Sequence, residues 1–122
     1  MPNSKRLPSR ASAPELNLEH DSQLMLVDLS GGQQRLACSI LAQVYNQVGT
    51  QTPDVDDSAL LKNGFLALQA LIAEGAIAAY HDRSDGGLLA AAVEMAFASR
   101  CGLELDVPSG KGDVLSALFN EE

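Results

Sequence analysis

The segment from Ala76 to Ala92, AIAAYHDRSDGGLLAAA, constrains the fold more than any other part of this chain of 122 residues. Residues 76–80 form a short apolar run bounded by turn-forming residues, which is typical of a β-strand. From Leu88 onward the apolar residues recur at helical spacing, which predicts a helix. A polar stretch with two glycines separates the two patterns. We therefore expect a strand that leads through a tight corner into a helix.

The polar corner, residues 81–87, carries side chains that suit a phosphate and a metal ion. The first N–H groups of a helix have no partner within it and favour an anion, and glycine allows a close approach. Asp82 would supply a hard oxygen ligand to Mg²⁺, and the hydroxyl of Ser84 would donate to a phosphate oxygen. The same residues are also typical of ordinary turns and helix caps. On spacing alone, both a binding site and a plain turn therefore stay open.

Three further residues of the corner have simpler interpretations. We expect His81 to be a hydrogen-bonded turn residue, because no second His or Cys stands at the spacing of a metal site. Asp85 is expected to cap the helix that follows. The guanidinium fork of Arg83 suits a phosphate or a carboxylate, and the sequence leaves open whether it contacts a ligand or forms a structural ion pair.

Before the strand at residues 76–80, one further strand and two helices are predicted. Residues 24–29 are a near-continuous apolar run, as expected of a strand covered on both faces, and Ser30-Gly31-Gly32 is interpreted as a plain turn rather than a phosphate cradle. An apolar stripe predicts a helix over residues 36–48 that stops at Gly49. Three aspartates, at positions 54, 56 and 57, are interpreted as helix caps. The helix after them should end near Gly75 and bury six apolar residues: Leu60, Leu61, Phe65, Leu68, Leu71 and Ile72.

After the corner helix, residues 103–107 alternate between apolar and acidic side chains, which predicts a strand with one solvated face. Residues 108–112 are predicted to form a turn, and residues 114–119 a last short helix. Strands alternating with helices in this order indicate an α/β fold, a layered sheet with packed helices.

Composition limits the function classes and the location. The net charge is −8, and the basic residues cluster only in the first ten positions, which argues against a nucleic-acid partner. No apolar run approaches the length needed to cross a membrane. Cys38 and Cys101 are interpreted as reduced, packed thiols of a cytoplasmic protein. Residues 1–13 are predicted to be disordered, and residues 14–122 to form one domain.

The string HDRSDGGL, preceded by LQALIAEGAIAAY and followed by LLAAAVEMAFASRCGLELDV, resembles a known family. It is similar to the C-terminal subdomain of the synthetase domain in phosphoribosylformylglycinamidine synthases, in the large, glutamine-hydrolysing, single-chain form of bacteria. The resemblance runs from about residue 13 to the final LFNEE. Its one departure is LACS at residues 36–39, where many relatives carry a glycine pair before the serine. Aminoimidazole ribonucleotide synthetase and selenophosphate synthetase share the fold but match less of the sequence.

The resemblance implies a fold like the C-terminal domain of aminoimidazole ribonucleotide synthetase, in truncated form. It makes Asp82 a Mg²⁺ ligand and Ser84 an ATP contact, and it assigns no catalytic residue to this chain. The family's reaction converts formylglycinamide ribonucleotide, ATP and glutamine to the amidine. We expect this chain to supply one ATP and Mg²⁺ corner of that site and to be inactive alone.

Two other outcomes stay open from the sequence. The chain could be a non-catalytic interaction module, or a truncated product without function that retains the fold. Whatever its function, we expect the chain to self-associate through an exposed sheet edge, because unpaired strand edges pair with other chains.

Overall fold

The computed structural model describes residues 14–16, 23–107 and 113–122. Over these ranges the chain forms four helices: α1 (Ile40–Val44), α2 (Ser58–Glu74), α3 (Gly87–Ser99) and α4 (Val114–Phe119). None of these helices is long and apolar enough to cross a membrane. The predicted disorder of residues 1–13 and the predicted turn at residues 108–112 lie outside the described residues.

The predicted layered sheet is wrong, because no strand occurs in the described ranges. Residues 24–29, 76–80 and 103–107 have non-helical backbone without a ladder of hydrogen bonds. Met25 and Val27 are 78% and 62% exposed, so the first of these runs is not covered on both faces. An apolar run specifies that a segment can pair, but its partner lies far away in the sequence and is not encoded in the run itself. The sheet edge expected to mediate self-association is likewise not seen in these ranges.

Helix α2 forms where the sequence predicts it, through local signals at both ends. The side chain of Asp57 accepts a hydrogen bond from the backbone N–H of Leu60 at 2.9 Å, which confirms its role as a cap. Gly75 ends the helix in the left-handed conformation, with φ of 72°. The expected burial of its apolar face is wrong, because no residue of α2 is buried and Phe65 is 57% exposed.

Helix α1 is much shorter than the predicted helix over residues 36–48. Cys38 and Asn46 both have positive φ, 63° and 53°, which interrupts the helical backbone on either side of α1. Ser39 caps the helix by accepting from the N–H of Ala42 at 3.2 Å. Cys38 is exposed, so the expectation that it packs in the interior is wrong.

Helices α3 and α4 contact each other and carry most of the buried apolar side chains of the described residues. Ala92 and Met95 of α3 and Ala117 of α4 are each at most 6% exposed. Gly87, at the start of α3, has φ of +70°, and a Cβ there would lie 2.7 Å from the carbonyl oxygens of Leu118 and Asn120. Only glycine allows this approach of backbone to backbone. The α3–α4 contact fixes the start of α3, and with it the corner at residues 81–87.

Candidate functional site: the corner before α3

Side chains of the corner segment differ in exposure along the backbone. Asp82, Ser84 and Asp85 are exposed, and the side chain of Asp82 has 73% of its surface accessible. Arg83, between the first two, is only partly exposed. The backbone of residues 81–84 is not helical, and the N–H of Gly87 donates to the carbonyl of Ser84 at 2.9 Å. Asp82 and Ser84 are therefore both accessible from solvent on a segment tied to the start of α3.

Glu121 holds the start of α3 in place of the cap expected from Asp85. The residue at the helix start is Gly86, which has no side chain, and its N–H donates to Oε1 of Glu121 at 2.9 Å. The N–H of Ile40, at the start of α1, donates to the same oxygen at 2.9 Å. The expectation that Asp85 caps α3 is wrong. The amino end of a helix attracts anions, and at α3 the Glu121 carboxylate already occupies that position.

A second carboxylate, Glu122, fixes the loop before α1. The side chain of Glu122 is 3% exposed and forms an ion pair with Nε of Arg35. The same guanidinium lies 3.0 Å from the carboxylate of Asp56 and donates to the carbonyl of Asp54 at 3.0 Å. Its hydrogen bond with Glu122 raises the pKa of Arg35. Asp56 therefore pairs with an arginine, whereas the sequence suggested a helix cap.

His81 is held from two sides, as expected of a hydrogen-bonded turn residue. Its Nδ1 lies 2.7 Å from the carbonyl oxygen of Asp82, and its Nε2 lies 2.6 Å from Oε2 of Glu94 on α3. The hydrogen bond to the Asp82 carbonyl and the Glu94 carboxylate raise the pKa of His81. Within the three described ranges, no group of three His, Cys, Asp or Glu side chains is placed to hold a metal ion.

The turn at residues 30–32 is organised by Asp28. Its Oδ1 accepts from the backbone N–H and the hydroxyl of Ser30, at 2.8 and 2.6 Å, and its Oδ2 accepts from the N–H of Gly32 at 2.9 Å. The hydrogen bond from the Ser30 hydroxyl lowers the pKa of Asp28. This network agrees with the interpretation of the glycine pair as a plain turn.

Arg83 lines a cavity beside this turn. No nitrogen of its guanidinium lies within ion-pair distance of a carboxylate in the part of the chain that the structure describes, so the structural ion pair left open by the sequence is not observed there. Burial lowers the pKa of Arg83, and the charges of Asp28 and Glu122 partly oppose that effect.

The sequence interpretation missed Glu121, which bonds the corner at Gly86. It also missed the roles of Asp28 in the turn at residues 30–32 and of the Arg35–Glu122 pair in the loop before α1. The two consecutive glutamates of FNEE directly after an apolar helix are the available signal. Their partners lie 35 to 87 positions away, and spacing alone does not identify them.

The chain matches the model of a known protein family. The family model described as "AIR synthase related protein, C-terminal domain" matches residues 24–121. The match includes all four helices, the corner with Asp82 and Ser84, and the Glu121 carboxylate that fixes it. This domain is found in ATP-utilising enzymes of purine biosynthesis. Since the match covers most of the chain, the chain belongs to the family of AIR synthase related proteins and carries the family's C-terminal domain.

Proposed function

We propose that this chain forms an ATP- and Mg²⁺-binding corner of a phosphoribosylformylglycinamidine synthase. That ligase uses formylglycinamide ribonucleotide, ATP and glutamine in purine biosynthesis. Membership of the AIR synthase related family and the string HDRSDGGL at residues 81–88 support the proposal. The observation that carries it is the position of the exposed Asp82 carboxylate two residues from the exposed Ser84 hydroxyl, on a segment fixed to α3.

The donor set of the corner fits Mg²⁺ and a nucleotide. Mg²⁺ in nucleotide sites takes one or two protein carboxylates and completes its shell with water and phosphate oxygens. Asp82 is exposed, and among the described residues the basic group within ion-pair distance of it is Nδ1 of His81, 3.9 Å from Oδ1 and charged only when the ring is protonated. Its oxygens are therefore accessible to a metal ion. Bound Mg²⁺ would supply positive charge that neutralises the phosphate oxygens of ATP.

Ser84 would bind a phosphate oxygen through its hydroxyl, while its carbonyl stays bonded to the N–H of Gly87. A hydroxyl donates a hydrogen bond without a change of ionisation, so the contact orients the nucleotide over a wide pH range. The N–H of Gly86 is already engaged by Glu121. The phosphate would therefore be held by Ser84 and the Asp82-bound metal, beside the helix start and not on it.

The corner binds and orients, and it does not by itself perform the reaction. Phosphoryl transfer depends on several positioned cations and donors acting together, so one carboxylate and one hydroxyl should give little rate. We infer no nucleophilic role for Cys38 or Cys101 in glutamine hydrolysis. We therefore expect the chain alone to show neither amidine synthesis nor glutamine hydrolysis.

Isothermal titration of the chain with ATP, with and without Mg²⁺, tests the proposal. We expect binding that requires Mg²⁺. Asp82→Asn keeps the size of the side chain but removes its charge, so it should weaken binding about tenfold, with partial recovery at high Mg²⁺. Ser84→Ala removes one donor and should weaken binding by about tenfold or less. Asp85→Asn is the matched control, because Asp85 is exposed and does not cap α3, and the affinity of this variant should equal that of the parent chain.

The proposal fails if ATP binding is independent of Mg²⁺, or if Asp85→Asn removes the metal dependence while Asp82→Asn leaves it intact. In the second case the metal ligand is Asp85.

An interaction module is the second candidate. Val93 and Phe97, one turn apart on α3, are 57% and 85% exposed, and α2 buries no residue. Exposed apolar surface of this kind is typical of a face that contacts another protein. Absence of Mg·ATP binding by a folded chain would favour this candidate over the nucleotide corner.

A further inference from the structure

A cavity of about 400 Å³ lies on the Arg83 side of the corner. Its polar lining includes Asp28, Gln34 and Arg83, and Leu26, Leu88 and Val107 contribute to its apolar lining. Asp82 and Ser84 do not line it, so it does not include the two residues proposed to bind Mg²⁺ and ATP, although Arg83 between them lines it. Its volume falls in the range of about 300–1,000 Å³ that is usual for small-molecule sites. We call this space the Arg83 cavity.

Two polar atoms beside the Arg83 cavity lack partners. Nε of Arg83 and Oε1 of Gln34 are buried, and neither makes a hydrogen bond with the residues that the structure describes. Leaving such a buried group unpaired destabilises the folded chain. One of these atoms is a donor and the other an acceptor. A ligand that satisfies both must therefore carry both an acceptor and a donor.

The charged side chains of the cavity favour a ligand that carries both a positive and a negative charge. Arg83 contributes one positive and Asp28 one negative charge, and their side chains are not in ion-pair contact. A simple anion would be attracted to the guanidinium but repelled by the Asp28 carboxylate. Asp28 accepts three hydrogen bonds from Ser30 and Gly32. A carboxylate has about four acceptor positions, so one remains for a donor from a ligand.

We propose that the Arg83 cavity binds a free α-amino acid with an apolar side chain. The ligand carboxylate pairs with the guanidinium of Arg83 and satisfies its Nε. The ligand ammonium donates to Oε1 of Gln34 and to the remaining acceptor position of Asp28. The apolar side chain covers Leu26, which is 46% exposed without a ligand, together with Leu88 and Val107.

The guanidinium is the group that distinguishes this site from a general apolar pocket. Its planar fork matches a carboxylate in a two-point contact, and a partly buried setting strengthens that contact. Gln34 and Asp28 then require that the same molecule carry a donor next to its carboxylate. Neither an aliphatic acid nor an aliphatic amine meets both conditions.

Calorimetric titration of the folded chain with L-leucine tests the proposal, with 4-methylpentanoate and 3-methylbutylamine as probes that lack the ammonium and the carboxylate. We expect L-leucine to bind and each of the two probes to bind at least tenfold more weakly. Arg83→Gln should weaken leucine binding about tenfold or more, since a hydrogen bond to a charged group contributes about 1.5–3 kcal/mol. Lys62→Gln, which removes the same charge from an exposed position on α2, should leave the affinity unchanged.

Gln34→Leu keeps the side chain near its original size and provides a second test if Arg83→Gln does not fold. It should weaken leucine binding and leave the binding of 4-methylpentanoate unchanged, because only the ammonium contact is lost. The proposal is wrong if the folded parent chain does not bind leucine, if 4-methylpentanoate binds as tightly as leucine, or if Gln34→Leu has the affinity of the parent chain. These outcomes are independent of Mg·ATP binding at Asp82.

Discussion

Helix α2 and the α3–α4 pair are both well formed, but different interactions form them. Helix α2 has a side-chain cap at one end and a left-handed glycine at the other, and none of its residues is buried. Helix α3 follows Gly86, which has no side chain to cap it, yet it buries Ala92 and Met95 and contacts α4. Local signals define α2, whereas contacts with distant residues define α3.

The stability of the described part depends more on the contact between α3 and α4 than on α2. An isolated helix gains little from capping alone, and most helical stability in proteins comes from tertiary packing. We therefore expect substitutions in the α3–α4 pair to change the free energy of unfolding strongly. Similar substitutions in α2 should change it weakly.

Gly87→Ala should have the largest effect. Its Cβ would lie 2.7 Å from backbone atoms of residues 118–120, and its φ of +70° is strained for any L-residue. The strain and the forced displacement of α4 should together lower the free energy of unfolding by about 3 kcal/mol. Gly75→Ala, at the end of α2, is the matched control, with a similar φ of +72° but open space around the new Cβ. Gly75→Ala should lower the free energy of unfolding by about 1 kcal/mol, measured by denaturant titration. Equal losses at both positions would refute the role given to the α3–α4 contact.

Met95→Ala should lower the free energy of unfolding by about 2–3 kcal/mol, because it leaves a cavity in place of an α3 side chain that is 4% exposed. Phe97→Ala, two positions further along the same helix, removes a larger side chain that is 85% exposed. It should change stability by about 0.5 kcal/mol or less. Thermal and denaturant unfolding of both variants measure the contrast. A larger loss from Phe97→Ala would mean that its face of α3 is covered in solution.

The sequence correctly predicts features that depend on neighbouring residues, and it fails for features that depend on distant contacts. Asp57 and Gly75 were predicted correctly, because a cap and a stop act within a few residues of their own position. The corner at residues 81–87 was located for the same reason, as a polar glycine-bearing stretch before an apolar helix. The sheet was wrong, since strand pairing depends on distant segments. The cap at Asp85 was wrong because Glu121, distant in the sequence, bonds the helix start instead.

Glu121→Ala should remove the link between the starts of α1 and α3. Both Ile40 and Gly86 would lose the acceptor for their N–H groups, at a cost of about 1–3 kcal/mol. Glu121→Gln keeps an acceptor oxygen without the charge, and it should lower the free energy of unfolding by about half as much as Glu121→Ala. Hydrogen exchange should speed up at the Ile40 and Gly86 amides in particular. Glu104→Ala, at an exposed position, is the control and should leave both exchange rates unchanged.

Asp57→Ala and Asp85→Ala compare the two helix starts directly. The first removes the cap of α2 and should lower the free energy of unfolding by about 1 kcal/mol. The second removes a side chain that does not cap α3, so it should cost less than about 0.5 kcal/mol. Denaturant titrations of the two variants under identical conditions measure both values. A cost at Asp85 equal to that at Asp57 would restore Asp85 as a cap in solution.

The smallest expected effect concerns His81 and Glu94, which tie the corner to the body of α3. The Asp82 carbonyl and the Glu94 carboxylate raise the pKa of His81 in the folded chain above its ordinary 6.5. Because the folded value is the higher one, the protonated ring stabilises the fold fully below about pH 6.5, and this contribution is lost as the pH rises through the folded pKa. Glu94 is 64% exposed, so salt should weaken the effect. An NMR titration of the His81 ring, with His81→Gln to assign the signal, should give a midpoint above 6.5, and Glu94→Gln should lower it. A midpoint unaffected by Glu94→Gln would show that the contact between His81 and Glu94 does not persist in solution.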